Sequence, residues 1–411
     1  MNIKLRLTIL QFTEFFIWGS WLISFGKYMA GLEMGDKIGT LFASFGFAAL
    51  IMPTIAGIIA DRWLNSEKLL GALHLLGAVF LFMASRTSDF GQLYLLMVLN
   101  ALVFMPTIGL SYSVCYSILE QKGMESIKTF PPIRVWGTVG FIIAMWIVDL
   151  AGWGMSSNQL LLASCSATFL GLYSFSLPPS PPMKSQKKGS LISTLGLDAL
   201  ILLKERKIAT FFIFAFLLGM CLQITNSFGS VFIQSFSGAY ADSFAVKYNN
   251  IFLSISQISE ALFILAIPFF LRRFGIKVVM LMSFGAWVLR FGFFGIGDPG
   301  SGMIWLTSSM IIYGMAFDFF NISGSLFIEQ ETPAKFRSSA QGMLMMVTNG
   351  LGAILGNICA QTIINHYTQN GITEWNSCWF IFAGYALVIG IAFAVVFKYK
   401  HNPESSFKIQ H

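Results

Sequence analysis

The sequence predicts an all-α integral membrane protein: twelve transmembrane helices in two six-helix halves around a central cavity. Three observations predict it. Twelve apolar runs are long enough to cross the hydrocarbon core, which takes about 20 helical residues. Of 411 residues, 55% are hydrophobic and 11% charged, whereas a soluble domain carries about 25% charged residues. Finally, 21 of the 26 Lys and Arg residues fall at alternate loops and at the ends, the bias that marks a cytoplasmic face.

The runs lie near 5–30, 38–60, 67–86, 91–119, 133–152, 158–178, 207–236, 250–271, 276–297, 303–328, 338–365 and 375–398. With the amino terminus inside, the inner segments hold Lys4 and Arg6; Arg62 and Lys68; Lys122, Lys128 and Arg134; Lys184 to Lys207; Arg272, Arg273 and Lys277; Lys335 and Arg337; and Lys398, Lys400 and Lys408. Only Lys27, Lys37, Arg86, Lys247 and Arg290 fall elsewhere. Both termini of this multi-pass chain are therefore expected in the cytoplasm. Basic Met1–Leu7 leads into a run too long for a signal-peptide core.

The longest polar connection starts at Pro178-Pro179-Ser180-Pro181-Pro182 and continues through Lys184–Lys188. It divides the chain into a bundle over 1–178, a linker over 179–206, a second bundle over 207–398 and a tail over 399–411. Weak echoes relate the bundles. Gly57-x-x-x-Asp61-Arg62 after helix two corresponds to Pro268-x-x-x-Arg272-Arg273 after helix eight. Arg134-x-x-Gly137-Thr138 corresponds to Arg337-x-x-Ala340-Gln341. A duplicated six-helix unit is the layout of a rocking carrier with its site between the halves. Gly57-Ile-Ile-Ala-Asp61-Arg62 also resembles the loop 2–3 signature of the major facilitator superfamily. There the acidic and basic residues latch the inner gate. The later glycine and basic residues of that signature are missing at Trp63-Leu64-Asn65; a gating role is still the favoured reading, with an ordinary charged helix end as the alternative.

Composition excludes several classes. The net charge of +7 is spread over short loops and makes no basic face for nucleic acid. The five cysteines stand at wide spacing in apolar runs and read as small buried hydrophobes. The four histidines form no ligand cluster, and His74 reads as a polar residue near a helix end in preference to a proton relay. No nucleophile–base pair, metal motif or phosphate loop points to an enzyme, and no cofactor is expected. Gly352-x-x-x-Gly356 permits close helix contact; Pro53, Pro106 and Pro268 read as kinks or helix-end features.

Two carboxylates carry the functional reading. Glu260 lies in the run Ile251–Leu271 and Asp318 in Met303–Ile328. A charge at mid-bilayer depth costs ~3 kcal/mol even on the lenient insertion scale, so such residues line a cavity or a transport path. Uncharged polar groups surround them at helical spacing. Arg134, Thr138 and Phe141 share one face of helix five; Gln223 and Asn226 are i, i+3 in helix seven; Gln257 and Glu260 are i, i+3 in helix eight. Tyr313, Phe317 and Asn321 form a stripe in helix ten with Asp318 on its flank. Single amides often serve only as packing glue worth ~0.6 kcal/mol, and Arg134 reads equally well as a snorkelling anchor. Embedded Glu14 and Arg290 either pair with other charges or line the cavity. Amides suit a base edge or a ribose hydroxyl, carboxylates accept from sugar hydroxyls, and rings stack flat heterocycles. No deep Arg–Lys cluster is present for a phosphate. A neutral polar solute follows, either a nucleoside or a sugar, with the aromatic share favouring the nucleoside.

Longer strings carry a more specific resemblance. Phe130-Pro-Pro-Ile-Arg134-Val-Trp-Gly-Thr138-Val-Gly-Phe141, Leu222-Gln223-Ile-Thr-Asn226, Ser256-Gln257-Ile-Ser-Glu260 and Tyr313-Gly-Met-Ala-Phe317-Asp318-Phe-Phe-Asn321-Ile-Ser-Gly resemble the bacterial nucleoside:proton symporters of the major facilitator superfamily. The likeness runs from Trp18-Gly-Ser-Trp21 to Phe397-Lys-Tyr-Lys400, through Gly196-Leu-Asp-Ala199 and Tyr367-Thr-Gln-Asn-Gly-Ile-Thr373. The resemblance implies import of purine and pyrimidine nucleosides, such as uridine or adenosine, with protons by alternating access. It implies substrate contacts from Arg134, Thr138, Phe141, Gln223, Asn226, Gln257, Glu260, Tyr313, Phe317 and Asn321, and proton coupling at Asp318 and Glu260. Its carriers bear an uncharged amide where this chain has Glu14. Membrane lipid is the expected surrounding and a monomer the expected state. A proton-coupled sugar or oligosaccharide carrier, or a non-transporting receptor, are the competing readings.

Overall fold

The computed structural model describes residues 2–182, 197–333 and 336–399. Lys184, Lys187 and Lys188 of the linker, Gly196, Lys335, and the tail from Lys400 with Lys408, His401 and His411 lie outside the described residues.

All twelve apolar runs are helical. The first is α1 (Ile3–Gly19) and α2 (Phe25–Gly31), separated by turns over 20–24. Next come α3 (Ile38–Arg62), α4 (Ser66–Ala84), α5 (Phe90–Gln121), α6 (Ser126–Leu150) and α7 (Asn158–Ser174). The seventh run is broken at Gln223 into α8 (Arg206–Leu222) and α9 (Ile224–Ser235). Runs eight and nine are the two arms of α10 (Ile255–Ile296), parted by Gly275 at φ 75° and ψ 169°. α11 (Met303–Glu331) is run ten. Run eleven passes from α12 (Arg337–Met345) through a π-helical stretch, Met346–Gly352, into α13 (Ala353–His366), and α14 (Trp375–Val396) completes the set.

Local chemistry sets the boundaries. Asn2 and Asp89 cap α1 and α5 by accepting from the Lys4 and Gln92 amides at 3.0 and 2.9 Å. Gly123 and Gly152, at φ 65° and 70°, follow the ends of α5 and α6, where a left-handed residue closes the last carbonyls. Asn370-Gly371, at φ 51° and 77°, turns the small hairpin of β1 (Thr368–Gln369) and β2 (Ile372–Thr373), the sequence such a two-residue turn favours.

Apolar side chains also cover the outside. Leu265, Leu172, Val388 and Val395 are exposed, as a lipid-facing helix surface allows. The same rule corrects the reading of the cysteines: Cys115, Cys221 and Cys378 are buried, but Cys165 and Cys359 are exposed. His74 is corrected too. It is central in α4 and 2% exposed, because a buried partner holds it there.

The chain forms two compact units. The first takes the described residues up to Pro182 together with Asn226–Gln234 and Lys247–Ile251. In it α1 packs along α6 and α7, α4 packs against α5 and α7, and α3 packs against α5. A Cβ at Gly140 would run into the Phe12 carbonyl, so α1 and α6 meet at backbone level. In the second unit α10 packs on α11 and α14, and α8 lies against 346–366. A Cβ at Gly352 would fall 2.7 Å from Gly219 Cα, and one at Gly356 would collide with the Met220 carbonyl. Gly356→Leu is therefore expected to force α8 and α13 apart at a cost of about 1–3 kcal/mol or more. Thermal unfolding in detergent should show a lower midpoint than for the native chain; an unchanged midpoint contradicts the contact.

Candidate functional site

In the second unit the candidate site grows from the seam of α10 and α11. Gly314 lets the two backbones touch: a Cβ there would lie 2.6 Å from the Ser259 carbonyl oxygen and 2.8 Å from the Glu260 nitrogen. The Ser259 hydroxyl donates to the Ile311 carbonyl and accepts from the Gly314 amide at 3.3 Å. Glu260 follows Ser259 directly, and Asp318 stands one turn beyond Gly314. Asp318 is 5% exposed, and its Oδ2 has no hydrogen-bond partner among the described residues. Glu260 is half-buried and within electrostatic reach of Asp318. Two acids on touching helices repel when both are ionised, and burial penalises each charge.

The aromatic stripe runs beside them on α11. The rings of Tyr313 and Phe317 stack with centroids 5.6 Å apart and planes inclined by 25°. Asn321 donates from Nδ2 to the Phe317 carbonyl at 3.0 Å. Gln257, one turn before Glu260 on α10, is half-buried with its Oε1 unpartnered among the described residues. Behind Tyr313 sits Arg290. Its Nη1 donates to the Ser309 carbonyl at 2.7 Å, and its guanidinium lies 4.4 Å from the Tyr313 ring centroid and 5.3 Å from that of Phe294. Trp287 meets Tyr313 edge-on at 6.2 Å. Arg290 thus serves as a buried brace for Tyr313, bonded to backbone and aromatic faces.

The first unit holds the second polar face. On α6, Arg134 and Thr138 are half-buried and Phe141 is buried. Arg134 donates from Nε to the Tyr112 hydroxyl at 2.7 Å and lies 3.9 Å from the Phe15 ring centroid. Protein groups therefore hold this cation, in place of the snorkelling anchor the sequence left open. Phe141 meets Trp18 edge-on at 6.2 Å. The helical face expected for Gln223 and Asn226 is interrupted, since the turn at Gln223 breaks the periodicity between them. Both are half-buried; Gln223 groups with the second unit and Asn226 with the first. Asp61 and Arg62 are exposed at the end of α3.

A profile of the family described as "Nucleoside H+ symporter" matches residues 1–402. The chain belongs to that family. Xanthosine permease of Escherichia coli is 50% identical over 416 residues, covering 100% of this chain and 99% of its own length. Nucleoside permease NupG of the same organism is 49% identical over 406 residues, covering 98% of this chain and 97% of its own. A crystal structure of nucleoside transporter NupG superposes with a TM-score of 0.92 at 49% identity, covering 97% of this chain and 100% of that one. The symporter has the major facilitator fold and is a proton-coupled nucleoside importer of the membrane, not an enzyme.

Sequence reasoning missed the groups that hold these residues in place. Phe15 and Tyr112 bear Arg134, and Ser259 bridges α10 to α11. A lone aromatic or serine in an apolar run carries no signal of its partner. A further pair also went unread: Lys27 in α2 and Asp149 at the end of α6, 4% and 9% exposed, with Nζ and Oδ1 3.8 Å apart. Asp149 also accepts from the Ile251 amide at 2.8 Å. Removing one partner of a buried pair strands the other charge at a cost of about 3–5 kcal/mol. Asp149→Leu should therefore lower the melting temperature sharply, and adding Lys27→Met should recover most of the loss. Equal losses for the single and double variants contradict the pairing.

Proposed function

We propose that this symporter takes up both purine and pyrimidine nucleosides by alternating access, and that Asp318 carries the coupled proton with Glu260 as its charged neighbour. The single observation behind this reading is a buried carboxylate with an oxygen that no described protein group satisfies. Protonation removes the charge and supplies a donor, so a proton arriving from outside relieves what the fold leaves unrelieved. We assign the nucleoside contacts to Arg134, Thr138, Phe141, Gln223, Asn226, Gln257, Glu260, Tyr313, Phe317 and Asn321. Amides have the donors and acceptors for base edges and ribose, Glu260 accepts from ribose hydroxyls, and Phe317 on Tyr313 offers a flat apolar face. The lysine and arginine bias supports an inner-membrane orientation with both termini cytoplasmic. We take a monomer in lipid as the working unit.

The cycle then has a defined order. Asp318 gains a proton from the outer medium, the nucleoside binds, the chain changes its access, and nucleoside and proton leave inside. The membrane potential adds ~2.3 kcal/mol per charge per 100 mV to the inward step. In proteoliposomes with an imposed proton gradient, radiolabelled uridine should accumulate, and a protonophore should collapse the accumulation to equilibration. Asp318→Asn should accumulate uridine to a lower ratio than the native chain at the same imposed gradient while still exchanging it. Phe317→Ala, which removes a stacking face worth about 1–3 kcal/mol, should raise the Kd for uridine roughly 5- to 150-fold. Accumulation that persists with the protonophore, or that Asp318→Asn leaves at the native ratio, refutes the assignment of the proton.

A further inference from the structure

The first unit buries a second set of titratable groups that the assigned nucleoside contacts leave unused. Glu14 of α1, His74 of α4 and Thr107 of α5 converge. His74 Nε2 lies 2.8 Å from Glu14 Oε2, and Thr107 Oγ1 lies 2.6 Å from Glu14 Oε1. All three are 2% exposed or less.

Thr107 is the revealing member. Its hydroxyl oxygen is 2.6 Å from Glu14 Oε1 and also 2.6 Å from the Phe104 carbonyl oxygen. A hydroxyl has one proton to donate and two lone pairs to accept with. When it donates to Glu14, the carboxylate is satisfied in its ionised form. When it donates to the Phe104 carbonyl, the short contact to Glu14 is satisfied by a protonated carboxyl donating to the hydroxyl. The same geometry therefore serves both charge states of Glu14 by a turn of one O–H bond. His74 adds a second such member, since an imidazole Nε2–H can donate to Glu14 whether the ring is neutral or protonated.

The surroundings offer few charges to fix either state. On α6, Arg134 is engaged with Tyr112 and Phe15. On α5, the groups that act on Glu14 are Tyr112 and Cys115, and the Cys115 thiol pairs with Gln11 at 3.5 Å. On α7, Tyr173 donates to the Arg6 carbonyl and Cys165 is exposed. The remaining charges of α4, Glu67 and Lys68, sit in its first turn, and Glu67 accepts from the Ser180 amide at 2.8 Å. Polar atoms flank the pair. Gln11 Oε1 and both amide atoms of Asn100 are buried without partners among the described residues. Gln11 precedes Glu14 by one turn of α1, and Asn100 precedes Thr107 by two turns of α5.

We propose that Glu14 and His74 together form a second proton-binding site, loaded and unloaded in each transport cycle beside Asp318. The pair with an ionised carboxylate and a neutral imidazole takes one proton from the outer medium and becomes neutral overall; it returns that proton to the inner medium after nucleoside release. Its link to transport is α1, which carries Glu14 and packs along α6, the helix of Arg134, Thr138 and Phe141. This inference rests on the proton-symport reading and adds a proton to it.

The test is a reversal measurement on the full chain in proteoliposomes, with the membrane potential clamped at zero. Against a tenfold uridine gradient, net flux stops at about one unit of pH difference for one coupled proton and at about half a unit for two, since each tenfold ratio weighs the same for either species. The native chain should reverse near half a unit, and Glu14→Gln and His74→Gln near one. A native reversal near one unit overturns the proposal even if neither variant folds. So does a variant that reverses where the native chain does. Failure of the native chain to couple uridine to protons at all strikes the symport reading itself and is distinguishable from both.

Discussion

In hydrocarbon every buried charge must find a partner or do work, because water is absent to solvate it. That constraint organises this protein. Lys27 is matched by Asp149, Glu14 by His74 and Thr107, and Arg290 by the Ser309 carbonyl and two aromatic faces. Asp318 is handled differently. The seam that buries it is made by Gly314 against the backbone of Ser259 and Glu260, so the tight contact that stabilises α10 on α11 also brings a second carboxylate close and leaves one oxygen of Asp318 unsatisfied among the described residues. Stability and function meet at one glycine: a larger side chain there would relieve the crowding of charge only by parting the helices.

The two units use aromatic rings in parallel ways. In each, a guanidinium is held on a ring face: Arg134 on Phe15 and Arg290 on Tyr313. A cation over a ring is worth ~0.5–2 kcal/mol depending on desolvation, which is enough to fix a rotamer while leaving the opposite ring face to another group. Phe317 extends the Tyr313 stack. A large aromatic content therefore acts as scaffolding for a small number of polar groups, a common economy in sites for flat apolar-and-polar ligands.

Much of the fold was legible. The twelve apolar runs are all helical, and Arg272-Arg273 already separated the two arms of α10 that Gly275 parts. The breaks at 20–24 and at Gln223, and the π-helical stretch at Met346–Gly352, were not legible, because no proline or charged residue there marks an interruption of the apolar run. At the site, spacing put Tyr313, Phe317, Asn321 and Asp318 on neighbouring positions of α11. Periodicity identifies a face but not the helix opposite it. For that reason Arg290 and Glu14 were seen without their partners, and His74, which bonds Glu14 across 60 residues of chain, was read as a helix-end residue.

The central claim is that the Asp318 carboxyl changes protonation as the nucleoside is carried. Infrared difference spectroscopy of the reconstituted protein, with and without uridine, reads this directly through the carboxylic-acid C=O band. The account predicts a uridine-dependent signal in that band for the native chain, with a component that Asp318→Asn removes. A difference spectrum that Asp318→Asn leaves unchanged contradicts it.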